Sequence, residues 1–158
     1  MAAGSFGPEG RRLVLGTFVL VVLAGSVLFG YTVTGHVAML QSGSITAEVT
    51  DISAADGDRI EVTFRVENPT IRTVRISSSE LEATVEDTTL ARDVPGGTPK
   101  VTVPSGGSAT VTVPMAVRDG YLEDHGKESV EAALATDRVT VKGMLIAKLE
   151  SSRISVEV

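Results

Sequence analysis

From Ile60 the chain alternates strictly. Ile60, Val62, Phe64 and Val66 fall on one side of an extended backbone, and Glu61, Thr63, Arg65 and Glu67 on the other, which predicts a half-buried β-strand. The pattern stops at Asn68-Pro69, because proline lacks the N–H a ladder needs and biases the residue before it toward extended or turn geometry. Asn68 is the only asparagine in the chain, and its amide is suited to bonding nearby backbone where the strand turns. A second apolar pattern, Ile71, Val74 and Ile76 with Arg72 and Arg75 between, begins at once. The stretch therefore predicts a strand, a fixed corner and the start of the next strand.

Similar patterns run through the rest of the domain. Ile45, Ala47 and Val49 alternate with Thr46, Glu48 and Thr50 as a first strand ending near Ile52, and the segment from Ala54 to Asp58 predicts a hairpin connection. After the corner come a strand from Thr70 to Ser77 and a further alternation at Leu81, Ala83 and Val85. Turns are expected at Pro95-Gly96-Gly97 and at Pro104-Ser105-Gly106-Gly107, with a short strand at Val101 and Val103 between them. Ala109, Val111, Val113 and Val117 mark a long strand in which Pro114 predicts an edge position or a bulge.

The period changes once. Leu122, Val130, Ala133 and Leu134 recur at helical spacing and predict one short amphipathic helix within Leu122 to Ala135. Val139 and Val141 return to strand, Gly143 interrupts it as a bulge or a close backbone approach, and Met144 to Leu149 complete it. Ile154, Val156 and Val158 make the last strand. Seven or eight short strands with turn signals between them and a single helix predict a mainly β domain, an antiparallel β-sandwich of immunoglobulin or fibronectin III-like kind.

The N-terminal region follows a different rule. Arg11-Arg12 precede an apolar run from Leu13 to Tyr31, and no charge appears before Glu48. At 1.5 Å per residue this run reaches roughly 28 Å as a helix, the thickness of a bilayer hydrocarbon core. Its glycines and serine are tolerated in lipid, where backbone groups must bond internally. The expected organisation is a short cytoplasmic N-terminus at 1–12, a single transmembrane anchor at 13–33, a linker at 34–43 and the β domain at 44–158. With Arg11 and Arg12 flanking the anchor, the positive-inside rule places the domain outside the cell membrane. A cleaved twin-arginine-type signal, carried by Arg11-Arg12-Leu13-Val14-Leu15, is the competing reading. Against it stand the length of the apolar run and the lack of a clean Ala-x-Ala site.

Composition narrows the partners. The 158 residues hold 14 Lys+Arg against 20 Asp+Glu, a net charge of −6. A net-acidic domain disfavours nucleic acid, whose binding depends on clustered cations. Four lysines and one asparagine in an acidic chain are compatible with a salt-rich setting. There is no cysteine, so disulfides and thiolate metal sites do not arise.

Candidate chemistry is sparse. His36 lies in the linker and His125 stands between Asp124 and Gly126, both read as exposed polar residues rather than bases. No serine lies in a nucleophile-elbow pattern. Asp56-Gly57-Asp58 reads as a turn rather than a calcium loop, since Arg59 follows at once where more oxygen ligands would be needed. Asp119, Glu123, Asp124 and Glu128 read as a solvated helix face. The Gly-Gly turns lack the lysine and the strand-to-helix context of a phosphate loop. The expectation is no enzyme activity, no cofactor, no metal and no small-molecule substrate.

The order VTFRVENPT, Pro-Gly-Gly, VTVPSGGSATVTVPMAV and Val141-Lys142-Gly143 resembles the water-stress and hypersensitive-response (WHy) domain of the late-embryogenesis-abundant type 2 family. The resemblance covers Ser44 to Val158 and is carried by Asn68, Pro69, Thr70, Gly106, Gly107, Pro114 and Gly143; Thr70 stands where the family usually has a second asparagine. It implies a β-sandwich with one helix and a non-enzymatic role in desiccation or salt stress, through binding or shielding of membrane or protein surfaces. The alternative is an interaction module that docks an envelope or secretion partner along an exposed edge such as the Pro114 strand. The expected partners are the lipid bilayer, through the N-terminal helix, and an unknown protein or membrane surface.

Overall fold

The computed structural model describes residues 17, 19–27, 37, 40–56 and 58–158, and the chain divides into two units, Met1–Val37 and Ala38–Val158. In the first unit residues 19–27 are helical, and Val19, Leu20, Val21, Val22, Leu23 and Val27 are exposed. Among the described residues no helix is long and apolar enough to cross a membrane. The expected anchor at 13–33 runs through residues 13–16, 18 and 28–33, which lie outside the described residues, as do Arg11, Arg12, His36 and Gly57.

The second unit holds eight strands: β1 (Thr46–Ala55), β2 (Arg59–Asn68), β3 (Val74–Val85), β4 (Thr88–Asp93), β5 (Val101–Val103), β6 (Gly107–Val117), β7 (Val139–Leu149) and β8 (Ser152–Glu157). Two helices, α1 (Asp119–His125) and α2 (Lys127–Ala135), lie between β6 and β7. All pairings are antiparallel. They form one sheet in the order β1-β2-β6-β4-β3-β7-β8, with β5 added on β3. The sheet curls into a half-barrel, so that β1 comes within 8 Å (Cα to Cα) of β7 and β8 without pairing to them.

The expectation of two separately bonded sheets gives way to this single sheet because of β4. Ala91 and Arg92 pair with Ala83 and Glu82 of β3 on one flank and with Val117 and Ala116 of β6 on the other. One short strand thus stitches the two halves together.

β4 carries no alternating pattern in the sequence. Leu90 and Ala91 are adjacent and both fully buried, since a register shift between Ala83 and Thr84 breaks the alternation. The turn before it carries Glu86 at φ 47° and Asp87 at φ 67°, the geometry of a tight hairpin without its usual Asn-Gly.

β3 is one strand where two were expected. Val74 and Ile76 are buried at even positions, and Ser79, Leu81, Ala83 and Val85 at odd ones. A bulge between Ile76 and Ser78 in the β7 ladder makes the switch, because one extra residue moves the following side chains to the other face.

The core lies in the hollow of the sheet. Ile60, Val62, Phe64 and Val66 are exposed by 1% or less, as the alternation predicts, and face Ile76, Leu90, Met115, Leu145 and Leu149 in the same cluster. Burying each such side chain contributes about 1.5–3 kcal/mol.

The single predicted helix is two. Gly126 at φ 73° ends α1, a backbone state glycine adopts at little cost, and its N–H closes on the Leu122 carbonyl at 2.9 Å. α2 then sets Val130 and Ala133 against the core.

The unit has two distinct ends. At the helix end the Val117 N–H donates to the Asp58 carbonyl at 3.0 Å, Lys127 pairs with Asp58, and Arg138 pairs with Glu86 at 3.1 Å. Residues 44–46, 68–72, 104–107 and 150–151 gather at the opposite, corner end, where the Gly106 N–H donates to the Thr70 carbonyl at 3.1 Å and Arg72 pairs with Glu150 at 3.1 Å.

Candidate functional site at the Asn-Pro corner

Asn68 is the last residue of β2 and continues the inward-facing series of Ile60 to Val66, so its side chain enters the core at 1% exposure. A buried amide is costly unless its donors and acceptor are satisfied. Here they are. The side-chain amide nitrogen donates to the carbonyls of Arg72 at 2.8 Å, Val103 at 3.2 Å and Pro104 at 2.9 Å. The Oδ1 accepts the Thr70 N–H at 3.2 Å and the Thr70 hydroxyl at 2.7 Å.

Thr70, also 1% exposed, completes the corner. Its hydroxyl lies 2.9 Å from the Arg72 carbonyl and 3.3 Å from the Arg72 N–H. Pro69 ends β2 without leaving an orphan donor. Gly106 sits at φ 63°, and a Cβ on Gly107 would meet the Pro104 ring at 2.7 Å. Five of the motif residues, Asn68, Pro69, Thr70, Gly106 and Gly107, therefore share one end of the sheet. Four of them, with Thr70 behind, line a shallow depression of about 440 Å³ beside Ser44 and Thr46.

Pro114 and Gly143 lie elsewhere. Pro114 is in β6, an interior strand between β2 and β4 and not an edge, and its pairing with Glu61 shows no register shift. Its carbonyl accepts the Val94 N–H at 3.3 Å. In extended backbone the N–H and C=O of one residue point the same way, so the missing donor faces Val94, just past the β4 ladder, and the β2 ladder is intact. Gly143, at φ 138°, is a close approach: a Cβ there would collide with the Glu80 carbonyl oxygen of β3.

A second polar cluster was not legible in the sequence. The Ser79 hydroxyl donates to Asp93 at 3.0 Å and lies 2.6 Å from the Thr98 hydroxyl. It ties the loop after β4 to β3.

His125 stacks on Tyr121 with ring centroids 4.5 Å apart and places Nδ1 3.3 Å from the Tyr121 carbonyl, a contact within α1. Asp119, Glu123, Asp124 and Glu128 lie on the helices, exposed to solvent. Among the described residues no group of three or more His, Asp or Glu side chains is placed to hold a metal ion. Glu82 titrates below its ordinary value. The Thr89 hydroxyl, donating at 2.6 Å, and the Arg92 guanidinium at 3.2 Å hold its carboxyl below the usual 4.5.

A charged row on the outer face has no local signature in the sequence. Arg75 pairs in register with Lys148, and Lys148 with Arg153, so three exposed cations lie side by side on the outer face one rung from the corner end. The alternation showed that Arg75 points outward; only strand register brings the other two beside it.

No protein family matches the chain, and no curated protein does. Among solved structures, a crystal structure of a protein from Archaeoglobus fulgidus is similar over 72% of this chain and 88% of its own, at 11% identity and a TM-score of 0.46. An X-ray structure of the Northeast Structural Genomics Consortium target SoR45 is similar over 72% of this chain and 78% of its own, at 12% identity and a TM-score of 0.38.

Proposed function

We propose that this chain is a non-enzymatic, membrane-anchored domain of the WHy, late-embryogenesis-abundant type 2 kind, held on the extracytoplasmic face and protecting membrane or protein surfaces during desiccation or salt stress. The observation that carries this reading is the Asn68 amide. It joins the Asn-Pro-Thr corner to the Pro-Ser-Gly-Gly turn through the Val103 and Pro104 carbonyls, so the two motif segments that bear the resemblance form one hydrogen-bonded unit. In this reading the halves β1-β2-β6 and β4-β3-β7-β8 correspond to the two layers of an immunoglobulin or fibronectin III-like sandwich, bridged by β4. An outer surface of Thr, Ser, Glu and Asp keeps such a domain hydrated at low water activity.

The test uses the full chain in dye-loaded vesicles taken through drying and rehydration. Vesicles bearing it are expected to retain more dye than vesicles bearing an equal mass of an unrelated anchored protein, and equal leakage overturns the protective role. A reporter fused after Val158 is expected outside the cell and in the membrane fraction; activity in the cytoplasm overturns the orientation. Crosslinking in cells that recovers one stoichiometric envelope protein decides instead for the interaction-module reading.

A further inference from the structure

We propose that the corner end of the β domain docks on anionic lipid headgroups, through the Arg75, Lys148 and Arg153 row and the Ile71 tip. The inference rests on the membrane-anchored reading and adds to it a lipid class and an orientation.

Like charges directly opposite one another on a sheet destabilise it. In a chain of net charge −6, three cations nonetheless occupy one cross-strand row, and among the described residues none of them makes an ion pair. The carboxylate closest by strand position, Glu150, is engaged by Arg72 at 3.1 Å. Glu67, also at the corner end, is paired with Arg65 at 3.3 Å, and more acidic groups collect at the other end, on α1 and α2 and in the β1–β2 turn. The domain is therefore electrically polar along its strands, and near an anionic surface it turns its basic end inward.

The chain enters the sheet at this same end. Ser44 and Thr46 border Asn68 and Pro69, and no charge separates Arg12 from Glu48 in the sequence, so nothing in that stretch repels a lipid surface. Ile71 is 49% exposed on a loop whose flanking residues are fixed by the Asn68 and Thr70 hydrogen bonds, so presenting its side chain requires little further ordering. Arg and Lys stems long enough to snorkel carry the row's charges past the last rung to the headgroup plane.

The absence of cysteine makes the test direct. Single-cysteine variants of the full chain, Ser151→Cys at the corner end, Glu128→Cys at the helix end and Val21→Cys in the anchor, carry a fluorophore. They are placed in vesicles of phosphatidylcholine alone or with about 30% phosphatidylglycerol, with a quencher on the headgroups for the Ser151 and Glu128 labels and one on the acyl chains for the Val21 label. The Ser151 label is expected to be quenched in anionic vesicles only, and the Glu128 label in neither. Combining Arg75→Gln, Lys148→Gln and Arg153→Gln is expected to weaken docking roughly 100-fold without lowering Tm, since it relieves like-charge repulsion. Salt of about 1 M is expected to abolish docking in the parent.

Equal Ser151 quenching in both vesicle types, or quenching that survives the triple substitution, overturns the inference while a quenched Val21 label leaves the anchor standing. An unquenched Val21 label overturns the anchor and the inference with it.

Discussion

The side chain of Asn68 donates to the carbonyl of Pro104 at 2.9 Å, tying the end of β2 to the turn between β5 and β6. Because the same amide also reaches Arg72 and Val103, the corner is held from within the core. Asn68→Ala is expected to cost about 1–3 kcal/mol, seen as a lower denaturant midpoint. Asn68→Asp is expected to cost more at neutral pH, since a buried carboxylate would face three carbonyl oxygens. Its folded-state pKa would be raised, so part of the loss should be regained toward about pH 4. Unchanged midpoints in both variants would refute the buried amide.

Two glycines should respond oppositely to alanine. Gly143→Ala meets both an unfavourable φ of 138° and the Glu80 backbone and is expected to destabilise by about 2–4 kcal/mol. Gly120 lies in α1 with open space around its Cβ direction, and Gly120→Ala is expected to stabilise by about 0.5–1 kcal/mol. Thermal melts of the two variants check the pair.

Glu82 makes a small acid-sensitive contribution. Its carboxyl is held below 4.5 first by the Thr89 hydroxyl and then by Arg92. A carboxylate depressed in the folded state stabilises above its unfolded pKa and loses that contribution as pH falls through the folded value. Tm measured from about pH 6 down to pH 3 should therefore fall slightly less steeply in Glu82→Gln than in the parent. Parallel curves would show that the exposed pair contributes nothing.

The β3–β4 turn leaves room for improvement. Asp87 holds φ 67° next to Glu86 at φ 47°, a state that favours glycine at the second position. Asp87→Gly is expected to raise stability by up to about 1 kcal/mol, net of the entropy glycine adds to the unfolded chain. A lowered Tm would mean that this entropy outweighs the relief.

The alternation from Ile60 to Val66 was sufficient to place β2, since a half-buried strand repeats every two residues whatever lies across from it. The same logic located β1, β6 and the outer parts of β7. It failed where two strands meet out of step. The bulge at Ile76 and Ser78 made one strand look like two, and the shift at Ala83 and Thr84 hid β4 altogether. At the corner, sequence pointed to Asn68 through its uniqueness and the proline after it, but not to Thr70 as a buried partner or to Val103 and Pro104 as acceptors. Ser79 and Thr98, and the row of Arg75, Lys148 and Arg153, left no local trace.

Local chemistry by itself determined which residues extend, which turn and which point inward, because backbone sterics and side-chain polarity act within a few positions. It determined the mainly β character, the apolar N-terminal run and the acidic balance of the domain. Only the tertiary structure decided that β4 closes two halves into one sheet, that Pro114 is interior, and that a bend in β3 changes which face is buried. Those outcomes depend on strand register, and register is chosen by the whole core at once: a one-residue slip exchanges every buried side chain with an exposed one.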